Sequence, residues 1–381
     1  MKEPLKILQV SRVYWPGVGG MERVVQTLAE QLACRGHQSH VLTLNRSFEE
    51  GALLEAEERK SGVEIKRVPY FGSTRYPLAP RIRSFASNYD VIHVHGVDFM
   101  LDWMVLNRPF HRKPIVLSTH GGFFHTQRQR RLKALWFRTL TALTLRGVSR
   151  VLCCSEQDLE RFSVVSSRCQ LFPNHIELGA FLSLNRRPTV GRFVCLGRVD
   201  VHKGHHHLLK ALAALKGLDS RPFQVEVIGP GNALIRRLTA QRDALGLTEQ
   251  VVFRGLCSHE EKLEALQHAE LCVFPSEYEG FGIAALEAMA AGCPSVLNDI
   301  APFRSLFTDS ALGSFTSFSD PGEAARAMMG CRDRAERENQ TQSGLLRAHA
   351  RAQSNQGNAE RFEEVYRQVL KSAEKMAGDP G

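Results

Sequence analysis

The chain has 381 residues, 43% of them hydrophobic and 23% charged, with a net charge of +9. That length predicts two domains of ordinary soluble composition, and the lack of any run of eighteen apolar residues excludes a transmembrane helix. The N-terminus has no long apolar stretch or small-residue cleavage site, so it does not read as a signal peptide. Nine scattered cysteines with no CxxC pair predict reduced thiols in the cytoplasm and speak against a zinc site.

Apolar strand-like runs alternate with amphipathic helical patterns. Lys6 to Val10 reads as a strand, and Met21 to Arg35 as a helix with Val24, Val25, Leu28, Ala29 and Leu32 on one face. Further strands are expected at Gln38–Leu44, Val63–Val68, Val91–His95, Ile115–Ser118, Val151–Cys154 and Cys169–Phe172. Ile176 to Pro188 lacks periodicity and reads as a linker. The rhythm then restarts with strands at Phe193–Leu196, Gln224–Ile228, Gln250–Phe253 and 271–275, and helices at Leu208–Leu215, up to Leu245, Glu260–His268 and 283–291. Thr341 to Lys375 is helical in pattern and is expected to cap the fold. Repeated β-α units predict an α/β chain of two Rossmann-like domains, with parallel sheets facing an interdomain cleft. The expected bounds are 1–180, 190–350 and a helical segment 351–381 that packs back on the fold.

Several stretches carry chemistry. Gly17-Val18-Gly19-Gly20 leads from the first strand into the first long helix, where glycines let backbone approach a ligand at a positive helix end; a tight turn would use the same residues. It is not a GxGxxG dinucleotide fingerprint. His120 ends a strand before Gly121-Gly122, and is either a site residue or a structural histidine bonded to backbone. Arg198 and Lys203 lie in Gly197-Arg198-Val199-Asp200-Val201-His202-Lys203-Gly204, beyond the carboxyl end of a strand, where open α/β sheets bind ligands. Arg offers a fork to phosphate oxygens and Lys a point charge; two solvated cations are the alternative. His202, His205, His206 and His207 cluster, but adjacent helical residues diverge and no acidic partner is expected beside them, so no metal site is expected.

Glu279 and Glu287 stand eight residues apart, on a glycine turn and on the helix it opens. Such a turn sets free N–H groups against a phosphate, while carboxylates there suit the hydroxyls of a sugar or ribose. Alternatively, the pair is a capping carboxylate and a solvated one. Glu287 among alanines favours the site.

From Trp103 to Ser155 there are ten basic residues and no Asp or Glu. Leu132, Leu135, Trp136, Leu140 and Leu143 recur at helical spacing beside Arg128, Arg131, Lys133 and Arg138, a pattern suited to an anionic membrane surface. An internally packed helix with a solvated basic face would show the same spacing.

The set GG-x-E, GR-x4-KG and EGFGxxxxEAMA resembles the retaining glycosyltransferases of family 4, with the GT-B fold, over about residues 5 to 310. Within that family, Ser73–Pro80, Val94–Phe99 and Ser118–Thr126 are similar to the α-mannosyltransferases of xanthan- and acetan-type exopolysaccharide assembly in bacteria. Those move mannose from GDP-mannose to polyprenyl-diphosphate-linked cellobiose. The resemblance implies that Arg198 and Lys203 hold the donor diphosphate and that Glu279 bonds the transferred sugar. The amides of Phe281, Gly282 and Ile283 would meet phosphate or sugar, and Glu287 the ribose. Gly19 and Gly20 would approach the diphosphate, and His120 would contact the sugar near the reacting carbon. One departure is Asn174-His175-Ile176-Glu177, where the family often has Asn-Gly-Val-Asp.

The expected function is therefore metal-independent retaining glycosyl transfer, without a cofactor, to a lipid-linked oligosaccharide. The expected place is the cytoplasmic side, peripherally associated with the inner face of the cell membrane. Alternatives are a family 4 enzyme using UDP-glucose or another sugar nucleotide on a different acceptor, a non-catalytic GT-B relative, and a nucleic-acid binder suggested by charge alone and lacking a recognition motif. No nucleic-acid partner is expected.

Overall fold

The computed structural model describes residues 3–17, 19–47, 51–73, 76–120, 136–174, 176–231, 233–309, 311–354 and 359–378. The chain divides into two compact units, Met1–Ile176 with Gln356–Gly381, and Glu177–Asn355.

The first unit contains β1 (Lys6–Ser11), β2 (Gln38–Leu44), β3 (Glu57–Lys60), β4 (Val63–Val68), β5 (Phe71–Ser73), β6 (Tyr76–Leu78), β7 (Val91–His95), β8 (Ile115–Ser118), β9 (Arg150–Cys153) and β10 (Cys169–Leu171). Eight of these form one sheet, ordered β10-β9-β8-β7-β1-β2-β4-β3. Every neighbouring pair is parallel except β3 with β4. Because β1 and β7 are central and covered on both faces, they read as near-continuous apolar runs and are buried throughout apart from Lys6. β3 reads Glu-Glu-Arg-Lys, a charged edge strand with no apolar alternation, and so escapes a search for hydrophobic pattern. Helix Phe99–Leu106 escapes for the opposite reason: Phe99, Met100, Leu101 and Met104 are all buried, leaving no polar stripe at helical period.

The second unit is a six-stranded parallel sheet of β11 (Arg192–Leu196), β12 (Gln224–Ile228), β13 (Val251–Gly255), β14 (Leu271–Phe274), β15 (Ser295–Asn298) and β16 (Ser314–Thr316). Its order is β13-β12-β11-β14-β15-β16. The chain leaves β11 toward β12 and returns to its other side with β14, so the sheet's topological switch point lies between β11 and β14. In the first unit the same reversal lies between β1 and β7. The loops carrying the motifs follow these strands.

Two sequence expectations are corrected. The segment read as a linker does hold the boundary between the units, at Ile176/Glu177, but beyond it lies helix Gly179–Leu182 with Phe181 fully buried, and Arg186 donates to the Gly292 carbonyl at 2.7 Å. One helical turn is too short to show periodicity. The segment read as a single cap, Thr341 to Lys375, is split between units. Helix Pro321–Ser354 packs within the second unit, its Ala324, Met328 and Cys331 against Leu208, Leu212 and Leu215. Helix Ala359–Gly378 returns to the first unit, where Phe362, Val365, Tyr366 and Val369 recur at three- and four-residue spacing against Ile7, Val91, Val116 and Leu152.

Candidate functional site

In the second unit, β11 ends in the turn bearing Arg198 and Lys203, and β14 ends in the turn bearing Glu279. The two turns press together. A Cβ on Gly204, whose φ is +69°, would lie 2.1 Å from the Pro275 carbonyl oxygen, so only glycine allows the approach. The Glu277 amide donates to the His202 carbonyl at 2.9 Å across the same contact. This seats Lys203 Nζ at 2.7 Å and 2.8 Å from the two carboxylate oxygens of Glu279. Ser276 Oγ donates to Glu279 at 2.8 Å, and Asn298 Nδ2 to the Ser276 carbonyl at 3.0 Å. Arg198 is exposed.

Phe281 and Gly282 precede helix Ile283–Ala290, and Gly282 is its N-cap at φ +91°. The helix directs the amide of Ile283 outward at a positive end. Glu287 is one turn further in and only 4% exposed, so it is not a solvated carboxylate. Lys262 Nζ donates to it at 2.7 Å and lies 5.0 Å from the ring centroid of Phe181. Lys262 is a residue that sequence reasoning missed. It belongs to helix His259–His268, with no motif to flag it.

In the first unit, Gly19 is the N-cap of helix Gly20–Cys34, directly after the β1 loop. His120 follows β8 with a left-handed φ of +48°, a conformation that costs energy for a residue with a side chain. Its Nε2 is 2.9 Å from His95 Nδ1, its amide donates to Cys154 Sγ at 3.4 Å, and its Nδ1 is 3.6 Å from the same sulfur. Burial pushes its pKa down to about 4, against a hydrogen bond with Asn174 that acts the other way. His93 and His95 are pushed well below the usual imidazole range, first by burial and then by the neighbouring imidazoles. All three rings are therefore neutral near pH 7. The signal for His93 and His95 was present in β7: they are two residues apart, on one face of a strand ending at a switch point.

Folding corrects the reading of the histidine run. Asp200 lies 3.5 Å from His202 Nδ1, and Glu277, distant in sequence, accepts from His207 Nε2 at 2.9 Å and is 3.9 Å from His206 Nε2. The His206 and His207 rings are 4.0 Å apart at their centroids rather than divergent. These three are the group among the described residues whose ligand atoms converge enough for a metal ion, and they lie at a partly exposed surface.

Arg128, Arg131, Lys133 and the residues Gly121 and Gly122 lie outside the described residues. Trp136 is described and is 43% exposed; Leu143 is 60% exposed, while Phe137 and Leu145 are buried. The described part of this segment thus turns apolar side chains to solvent as well as inward. Among the described residues, no helix is long and apolar enough to cross a membrane.

Comparisons with known proteins bear on the family and the fold. The family model for glycosyl transferases group 1 matches residues 183–343, and that for glycosyltransferase family 4 matches residues 18–179. The GDP-mannose:cellobiosyl-diphosphopolyprenol alpha-mannosyltransferase of Xanthomonas campestris is 36% identical over 319 residues, covering 81% of this chain and 82% of its own. The protein of the same name from Komagataeibacter xylinus is 34% identical over 327 residues, covering 85% and 83%. Among solved structures, Anabaena HepE in complex with UDP and glucose superposes with a TM-score of 0.72 at 18% identity, covering 97% of this chain and 100% of its own. Sucrose-phosphate synthase from Thermosynechococcus elongatus gives 0.73 at 19% identity, covering 96% and 100%. These structural likenesses carry the fold, which is GT-B.

Proposed function

The chain belongs to glycosyltransferase family 4, and from that membership we propose that it transfers α-mannose, with retention and without a metal, from GDP-mannose to a polyprenyl-diphosphate-linked oligosaccharide of exopolysaccharide assembly. That the chain is a glycosyltransferase follows from the family. The choice of donor and acceptor is supported by relatives 34% to 37% identical that carry this activity in their names.

The observation that carries the reading of the site is the Lys203–Glu279 pair at the switch point of the second sheet. A departing nucleoside diphosphate needs positive charge, and buried electrostatic stabilisation is the largest available lever. Arg198, Lys203 and the amides at Phe281, Gly282 and Ile283 supply it. Glu279 then bonds the hydroxyls of the transferred sugar and Glu287 those of the ribose. Gly19 and Gly20 let backbone approach the diphosphate, and His120 contacts the sugar. The anomeric carbon–oxygen bond breaks and the acceptor hydroxyl attacks the face the diphosphate leaves. A phosphate oxygen takes the hydroxyl proton, which balances the reaction and retains configuration. A double displacement would need a carboxylate about 3 Å from the anomeric carbon. Glu279, held by a lysine and a serine, serves instead as a hydroxyl acceptor.

Peripheral attachment to the inner membrane face is part of the same proposal, supported by exposed Trp136, Leu140 and Leu143 within the basic block. The deciding experiment is a donor screen with a short synthetic polyprenyl-diphosphate disaccharide, reading nucleotide release and product linkage. GDP release with a new α-mannosyl linkage is expected. Turnover of UDP-glucose in place of GDP-mannose would overturn the donor assignment.

A further inference from the structure

Gln9 is a polar residue in the middle of the central strand β1, with no exposure at all. A buried amide there must find partners, and it finds two. Its Oε1 accepts from His95 Nε2 at 2.8 Å, and its Nε2 is 3.5 Å from the hydroxyl of Tyr366, on helix Ala359–Gly378. That hydroxyl is 2.7 Å from His93 Nδ1, and His93 Nε2 is 2.8 Å from Ser118 Oγ.

The donors and acceptors of this chain run in one consistent order. The Gln9 amide donates to the Tyr366 oxygen, whose hydrogen goes to His93 Nδ1, so His93 donates from Nε2 to Ser118. On the other side, an amide oxygen can only accept, so His95 carries its hydrogen on Nε2. His95 Nδ1 is then an acceptor, and the group facing it at 2.9 Å is His120 Nε2, which must donate. The sole lone pair left on the His120 ring is on Nδ1, which faces the Cys154 sulfur at 3.6 Å, a weak partner, while the Asn174 side chain also hydrogen-bonds the ring. A sugar hydroxyl is a stronger donor than a thiol and would displace the sulfur. The left-handed backbone at His120 needs such an over-determined setting to persist.

We propose that His95 and Gln9, backed by the Tyr366 hydroxyl, are positioning residues for glycosyl transfer, holding the His120 ring as the single tautomer protonated on Nε2 so that Nδ1 is the acceptor it offers. The proposal rests on the reading that His120 contacts the donor sugar. It assigns the last helix of the chain a part in that contact, through one hydroxyl group reaching into the sheet.

The test uses the full chain in two arms. With histidine-selective 15N labelling, wild type is expected to show His120 Nε2 as the protonated nitrogen and Nδ1 as the unprotonated one. His95→Phe is expected to average the two. A wild-type ring protonated on Nδ1 overturns the proposal. In the kinetic arm, with GDP-mannose and the lipid disaccharide, His95→Phe should lower kcat by about tenfold or more while donor KM stays within about threefold. The His95→Phe/His120→Ala double variant should fall no further than His120→Ala alone, because the two act as a unit. Losses that multiply, or a His95→Phe kcat equal to wild type, overturn it. Should His95→Phe fail to fold, Tyr366→Phe deletes one oxygen and is expected to move the same tautomer signal and kcat in the same direction. A wild type that shows the expected tautomer but no GDP-mannose turnover supports the lock and overturns the donor assignment instead.

Discussion

Lys203 and Glu279 are 76 residues apart in sequence and form a bidentate ion pair, Nζ to the two carboxylate oxygens at 2.7 Å and 2.8 Å. Each member is the natural partner of a different part of a nucleotide sugar: the lysine of the diphosphate, the glutamate of the hydroxyls. On the proposed function, the pair would keep both groups in place until the donor supplies both partners at once. Lys203→Ala is expected to reduce kcat by about 100-fold, the scale of one lost oxyanion donor, and Glu279→Gln by a comparable factor. Steady-state nucleotide release measures both. Retention of full kcat by Lys203→Ala would remove the lysine from leaving-group stabilisation.

Lys262 and Glu287 form another ion pair of the same unit, with the carboxylate almost wholly buried. Removing one member strands a buried charge, which costs about 3–5 kcal/mol. Lys262→Met is therefore expected to lower the denaturation midpoint markedly and to raise donor KM, whereas the double variant Lys262→Met/Glu287→Leu should recover stability without recovering KM. Chemical denaturation and donor titration separate the two effects.

Glu363, on the returning helix, accepts from Arg367 at 2.9 Å and Arg35 at 3.1 Å and faces His37 at 3.3 Å. Burial alone would raise its pKa, but these hydrogen bonds outweigh it and hold the carboxyl down at about 2. A depressed carboxylate contributes stability that is complete above the unfolded value near 4.5 and disappears as pH falls toward 2. Glu363→Gln is expected to destabilise the chain by about 2 kcal/mol at pH 7 and by progressively less below pH 4.5, approaching wild type near pH 2. Denaturant melts across that range measure it; a difference independent of pH would show that the charge is not what matters.

Arg332 is fully buried, donating to Glu270 at 3.0 Å and Asp219 at 2.9 Å. Arg332→Leu leaves both acids without this cation and is expected to cost about 3–5 kcal/mol. Arg332→Lys should not rescue it, since an ammonium is a point charge and cannot replace the planar fork. Thermal melts of the three proteins decide this.

At the membrane, Leu140→Glu with Leu143→Glu is expected to abolish binding to anionic liposomes while donor hydrolysis in solution survives. Reversal of Arg128, Arg131 and Lys133 to Glu should act in the same direction. Flotation assays at two salt concentrations separate the apolar from the electrostatic part, because only the latter is screened. Unchanged liposome binding in both variants would remove this face from the membrane contact.

What the amino-acid sequence determined by itself is what depends on near neighbours. Alternating strand and helix periods announce a parallel α/β architecture, since each is set within a few residues. Glycine turns such as Gly197–Gly204 and Glu279–Gly282 mark where backbone and charge are offered to a ligand, because φ and helix polarity are local. Only the tertiary structure decided who meets whom. Strand order brings Lys203 to Glu279 and Glu277 to His207, and helix packing brings Lys262 to Glu287. The Gln9–Tyr366 contact spans 357 residues and the His93–Tyr366 contact 273. Such meetings follow from where sheets reverse and where the last helix lands, and those depend on burying whole faces of elements rather than on any short run of residues.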